Sequence, residues 1–179
     1  MPWLGCGRST PMIATTQHHQ PAAHPAWRSV VIRVKGSPAS PDQRRNIRIV
    51  LDTIHRETRR ESPVERWRYA TAAIMTITQE SEARTVPTAD SYGSVGLFQQ
   101  QASWGSYAHR MSPEWSAVAW LDSFRRVHHK FEGKGHSLGW QVDESQRSYT
   151  YGTPRQGHDY DAWHAEAART VAAWNRCFA

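Results

Sequence analysis

The sequence predicts a mainly α-helical single domain, and three observations carry that prediction. Apolar residues recur at helical spacing over several long stretches. Three of those stretches open on a Ser-Pro pair, the signal of an N-cap followed by a residue preset for the first turn. A glycine-bearing segment, residues 84–110, separates the second stretch from the third. The chain has 179 residues, 39% of them hydrophobic in type and nine of them Trp, enough to bury a core without metal or disulfide staples.

Residues 1–39 read as an N-terminal arm, partly irregular, rich in Pro, His, Ser and Thr, with one short strand expected over residues 30–34 before Gly36. The domain is expected over residues 40–179. Ser40, Pro41 and Gln43 open its first helix, which carries Ile47, Val50, Leu51 and Ile54 on one face and fades near Arg59 and Arg60. Ser62, Pro63 and Glu65 form a second capping box, ahead of Trp67, Ala70, Ile74 and Ile77. That helix ends near Ala83, because Val86 precedes Pro87 and is pushed out of the helical region. Gly93, Gly96 and Gly105 make residues 84–110 a loop or a small hairpin. A third helix runs from Ser112 through Val118, Leu121, Phe124, Val127 and Phe131 to about Gly133. A short fourth covers residues 142–148, a polar loop covers 149–158, and a last helix carries Tyr160, Trp163, Ala167, Val171, Trp174 and Phe178.

The formal charge is +6 and the only lysines are Lys35, Lys130 and Lys134, so the excess is nearly all arginine. A positive field favours anionic partners but does not choose among them; a solvated basic surface is the default, and no motif points to nucleic acid. No window approaches ~18 uninterrupted apolar residues, which excludes a membrane-spanning helix. Residues 1–20 lack a basic start followed by a long apolar run, so no secretory signal is expected. Cys6 and Cys177 leave both pairing and two separate thiols open. The histidine pairs His18–His19 and His128–His129 would point apart on a helix, and no metal-binding spacing occurs, so neither a metal nor a cofactor is expected.

Glu80 is the anomaly. It lies on the apolar stripe of the second helix, close to the negative C-terminal end of that helix. Burial and a negative helix end both disfavour the ionised carboxylate and make the group a candidate proton donor. Periodicity alone favours a half-exposed glutamate at a fraying end.

The surrounding residues narrow that choice. Thr76-Ile77-Thr78-Gln79-Glu80-Ser81 is followed by Ser94-Val95-Gly96-Leu97-Phe98-Gln99-Gln100 and by Trp104-Gly105, then by Ser145-Gln146-Arg147-Ser148 and Tyr160-Asp161-Ala162-Trp163. This order resembles the lysozyme-like superfamily of soluble lytic transglycosylases and goose-type lysozymes, closest to its actinobacterial and actinobacteriophage branch. The resemblance spans about residues 41–178. It implies an α+β lysozyme-like fold, peptidoglycan glycan strands as substrate, and Glu80 as catalytic acid and later base. It also implies a sugar cleft lined by Ser94, Gly96 and Gln99, with Gln100 either in the cleft or bracing the loop. Trp104 would stack on sugar, and Tyr149 loosely matches a late cleft aromatic. Without a signal peptide, the branch further implies a phage lysin, in the virion tail beside other tail proteins or in the host cytoplasm as an endolysin, acting at the cell wall.

Hydrolytic glycosidases use a second carboxylate. Glu82 sits about 200° round the helix from Glu80 and faces away. Asp90 is the other candidate, displaced from the family's usual Asp position, with a turn-stabilising role as its plainer reading. Without a second carboxylate, the resemblance implies cleavage to a 1,6-anhydro sugar. A water-using muramidase with Asp90, and a non-catalytic wall-binding or virion module, stand as alternatives.

Overall fold

The computed structural model describes residues 25–146 and 158–178. Ser40 caps helix α2 (Pro41–Glu57) as expected: its Oγ accepts from the Gln43 amide at 3.3 Å, and Gln43 Oε1 accepts from the Ser40 amide at 2.8 Å. Before α2 come a short helix α1 (Pro25–Ser29) and a two-stranded hairpin, β1 (Arg33–Val34) and β2 (Ser37–Pro38). The pairing is antiparallel, with Arg33 opposite Pro38 and Val34 opposite Ser37. Lys35 and Gly36, both at positive φ (48° and 77°), make the tight turn between them. The strand expected over residues 30–34 thus shortens to two residues. This part of the expected arm is docked: Trp27, Ile32 and Val34 are buried in the core, and the Arg44 guanidinium donates to the carbonyls of Trp27 and Val30.

Helix α3 (Pro63–Ser81) is the central element. Its residues from Tyr69 to Thr78 are buried on nearly every face, and it packs against α2, α5, α6, α7 and α8. A helix apolar all round belongs in a core, and the run Ala72-Ala73-Ile74-Met75 supplies that surface. Ser62 caps it, but the Glu65 carboxylate does not close the box; it turns to Arg68 and His128. The helix ends at Ser81. Glu82 and Ala83 then take left-handed backbone (φ 52° and 56°), a sharp exit held by Gln43 Nε2 on the Glu82 carbonyl and Asn46 Nδ2 on the Ala83 carbonyl.

Residues 84–110 form a loop with two isolated bridges, Val86 with Gly96 and Val95 with Gln100, and not a hairpin of strands. It closes through a 3-10 turn (Ala102–Trp104) and a short helix α4 (Tyr107–Met111) that the sequence did not announce. Helix α5 (Pro113–Phe131) and α6 (Leu138–Gln146) follow. Trp120, Phe124 and His128, four residues apart on α5, stack in a column that begins at Phe98 of the loop.

The expected last helix is two. A four-residue α7 (His158–Asp161) and α8 (His164–Phe178) meet at a turn. The break has a visible use: Asp161 accepts from Ser137 Oγ at 2.5 Å and from the Gly139 amide at 2.8 Å, capping α6, while Tyr160 and Trp163 turn to α3. Among the described residues the protein is a mainly helical single domain of eight helices with one small hairpin. No helix among them is long and apolar enough to cross a membrane.

Candidate active site

Glu80 sits one residue before the end of α3, half-buried. Its Oε1 accepts a short hydrogen bond from the phenol of Tyr160. The preceding Gln79 is held the same way: its Oε1 accepts from Trp163 Nε1 at 2.8 Å. Lys35, at the hairpin tip, brings its ammonium to 3.4 Å from the Gln79 carbonyl and lies over the Trp163 ring. A cation therefore stands at the negative end of α3. Tyr160, Trp163 and Lys35 were not read as site residues. Tyr160 and Trp163 looked like core positions on one helical stripe; the break between α7 and α8 is what sends them to the end of α3.

The next residue joins the helix to the loop. Ser81 Oγ donates to the Leu97 carbonyl at 2.7 Å. Leu97 and Phe98 are fully buried, and Gln146 Nε2, at the end of α6, donates to the Phe98 carbonyl at 3.0 Å. The segment 94–100 is thus tied to α3, α5 and α6.

Within that segment the expected cleft residues divide. Gln100 is buried and braces the loop: its Nε2 donates to the Ser116 carbonyl at 3.1 Å, and its backbone bridges Val95. Gln99 is half-buried at φ 48°, and its carboxamide donates back to the Gly96 carbonyl. Gly96 is at φ 79°, and a Cβ there would stand 2.1 Å from the Arg110 carbonyl. The close backbone approach that this glycine permits is to α4 of the protein itself. Ser94 is buried, with its amide bound to Asp90 Oδ1 at 2.9 Å. Trp104 is half-buried on the 3-10 turn. Tyr149 and Cys6 lie outside the described residues.

Asp90 behaves as a turn stabiliser. Its Oδ1 accepts from the amides of both Tyr92 and Ser94 at 2.9 Å. The Ser94 amide chiefly, opposed by desolvation and helped by the Tyr92 amide, holds its carboxyl below the ordinary carboxylate value. Glu82 is taken up by the left-handed exit from α3, 3.8 Å from Arg84.

Arg110 is the residue of this region that sequence reasoning missed most completely. It is 7% exposed, and its guanidinium donates to three carbonyls: Gly105 at 3.0 Å, Gly93 at 2.8 Å and Gln100 at 2.8 Å. A planar fork of donors suits that task. The only available signal was an arginine after three glycines, which is weak.

Glu80 is singled out by its contacts. What the arrangement offers chemically is one half-exposed carboxyl, oriented by a phenol, at the seam between a rigid helix and a glycine-bearing loop. No protein-family model matches the chain, and no curated protein matches it.

Proposed function

We propose that this protein cleaves the bond between N-acetylmuramic acid and N-acetylglucosamine in bacterial peptidoglycan, with Glu80 as general acid and then general base. One observation carries the reading: Glu80 lies where the Gln-Glu-Ser helix end meets the Gly-Leu-Phe-Gln-Gln loop, the pair being tied through Ser81 and Leu97. That juxtaposition joins the two halves of the sequence resemblance at one place, around a carboxyl that Tyr160 orients.

The chemistry needs a proton delivered to the glycosidic oxygen as the C1–O bond breaks. Glu80 gives that proton, and the N-acetylglucosamine side leaves as an alcohol. The acetamido oxygen of the muramic sugar bonds to C1 in its place. Glu80, now a carboxylate, takes the proton of the sugar's own C6 hydroxyl, and O6 displaces the acetamido oxygen at C1. The product is a 1,6-anhydro sugar, no water is consumed, and the internal attack gains from proximity. This route is favoured over hydrolysis because Asp90, the candidate second carboxylate, already accepts two loop amides. The branch resemblance adds the proposal of a phage lysin, acting from the tail or at release.

Purified protein is expected to clear cell-wall suspensions, and mass spectrometry of the digest to find anhydro ends. Glu80→Gln is expected to stay folded and lose clearing. Full clearing by that variant would remove Glu80 from the mechanism. Reducing ends would restore the muramidase reading, and wall binding with no released fragments the non-catalytic one.

A further inference from the structure

At the other end of α3, a second cluster of polar groups has no part in the proposed cleavage. Glu65 on α3, His128 on α5 and Glu132 just past the end of α5 place three potential ligand atoms within 4.8 Å of one another. Glu65 and Glu80 are 15 residues apart on one helix, roughly 22 Å along its axis. We infer that Glu65, His128 and Glu132 form a binding site for a divalent transition metal of the zinc class, clamping α3 to α5.

Four features of the cluster lead there. His128 is 1% exposed, whereas its chain neighbour His129 is exposed, so the pair splits into one interior and one exterior ring. His128 Nδ1 lies 2.9 Å from Gln141 Oε1 on α6. With Nδ1 donating its proton to that carbonyl oxygen, Nε2 carries the lone pair. A hydrogen bond on the far nitrogen is how proteins set the tautomer of a metal-binding imidazole.

Nε2 in turn stands 2.9 Å from Glu65 Oε2, and that oxygen is buried without a hydrogen-bond partner. Without metal, a proton on Nε2 and the adjacent Arg68 guanidinium meet this pair; a divalent ion would take both atoms at once. Bonds of about 2.0 Å in a tetrahedral shell put ligand atoms roughly 3.3 Å apart, so on metal binding the 2.9 Å pair opens slightly and Glu132 closes in from within 4.8 Å. Glu132 is exposed and follows the last turn of α5, so its side chain is free to swing onto the ion.

The donor set also selects the metal. One imidazole and two carboxylates carry the two negative charges that balance a divalent ion. An imidazole ligand prefers zinc-like metals to magnesium or calcium. The groups facing the cluster include one cation, Arg68, whose Nη1 is 3.0 Å from Glu65 Oε1 and 3.2 Å from His128 Nε2. A guanidinium already drawn to these atoms shows that they favour positive charge. On metal binding Arg68 keeps Oε1 and releases Nε2. No linear motif could announce this site, since its ligands lie at positions 65, 128 and 132.

The inference is independent of the cleavage reading, and its test reads binding and stability, not activity. The full chain would be titrated with zinc chloride and separately with magnesium chloride by calorimetry, with thermal unfolding followed in parallel. Zinc is expected to bind and to raise the unfolding temperature; magnesium is not. His128 anchors an aromatic column, so His128→Ala risks the fold. Glu132→Gln removes an exposed ligand and keeps the fold, and Gln141→Ala removes the group that orients the ring. Each is expected to weaken zinc binding by about 10–100-fold. Histidines elsewhere, such as His18 and His19, would not follow these substitutions. No zinc bound by the folded chain, equal binding of magnesium, or wild-type zinc affinity in Glu132→Gln would overturn the site and leave an Arg68–Glu65–His128 ion-pair network in its place.

Discussion

Ser81 Oγ donates to the Leu97 carbonyl at 2.7 Å while also lying 3.2 Å from the Ile77 carbonyl one turn back. A single hydroxyl thereby finishes the helix that carries Glu80 and pins the loop beside it. Ser81→Ala is expected to leave the buried Leu97 carbonyl unmet and to cost about 1–2 kcal/mol. Urea denaturation against wild type checks the value. Activity should fall further than that destabilisation accounts for under conditions where the variant remains folded, because the loop loses its register with Glu80. Unchanged stability and unchanged activity would together sink the link.

Tyr160→Phe deletes the phenol that donates to Glu80 and keeps the buried ring. A hydrogen bond to an ionised group contributes about 1.5–3 kcal/mol. If that orientation persists into the transition state, wall-clearing rate should fall about 10–100-fold. The unfolding temperature should change little, since the aromatic packing stays. A variant with wild-type rate would show the phenol to be a bystander.

Arg110→Met keeps most of the apolar stem and removes the donors to Gly93, Gln100 and Gly105. Three carbonyls lose a charged partner at once, and the expected cost is on the order of 3–5 kcal/mol. Arg110→Lys should recover only part of it, because one ammonium does not span the three acceptors. Hydrogen exchange should quicken across residues 93–105 before it does in α3. Uniform quickening through the whole domain would show the arginine to be a general core element instead of a loop fastener.

Asp90 supplies a pH dependence. Its folded carboxyl titrates below its ordinary value, so folding favours the ionised form. The stability it contributes is present above the unfolded value of about 3.9 and is lost as pH falls through the lower, folded value. Asp90→Asn should therefore be less stable than wild type at neutral pH, and the gap should close in strong acid. Chemical denaturation between pH 2 and pH 7 (about the range where this carboxyl changes state) measures it. Most wall-clearing activity should survive in the variant, as suits a turn stabiliser. Loss of all activity with an intact fold would instead make Asp90 the missing second carboxylate.

Much of the helical framework could be read locally. Ser40, Ser62 and Ser112 cap the helices that their Ser-Pro pairs announce, because a cap is settled by residues three apart. Glu80 could be suspected from its stripe and its sequence company alone. Local pattern missed the ends and breaks. The stripe from Tyr160 to Phe178 looked continuous, yet Asp161 leaves it to cap α6, a contact across 22 and 24 residues. The box expected at Ser62 and Glu65 stays open because Arg68 and His128 compete for the carboxylate.

By itself, then, the amino-acid order determined where the three Ser-Pro helices start, that a glycine-bearing loop follows the second of them, and that Glu80 was the carboxyl to suspect; the fourth helix begins at Leu138, four residues before its expected start. Only the tertiary structure decided that Tyr160 and Trp163 hold the end of α3, that Gly96 makes room for the Arg110 carbonyl, that Arg110 fastens the loop, and that Glu65 meets His128. The physical reason is one of range. Caps and turns are satisfied within a few residues, whereas a buried donor or carboxylate takes whichever partner packing brings to it, and that partner is set by the folding of distant segments together.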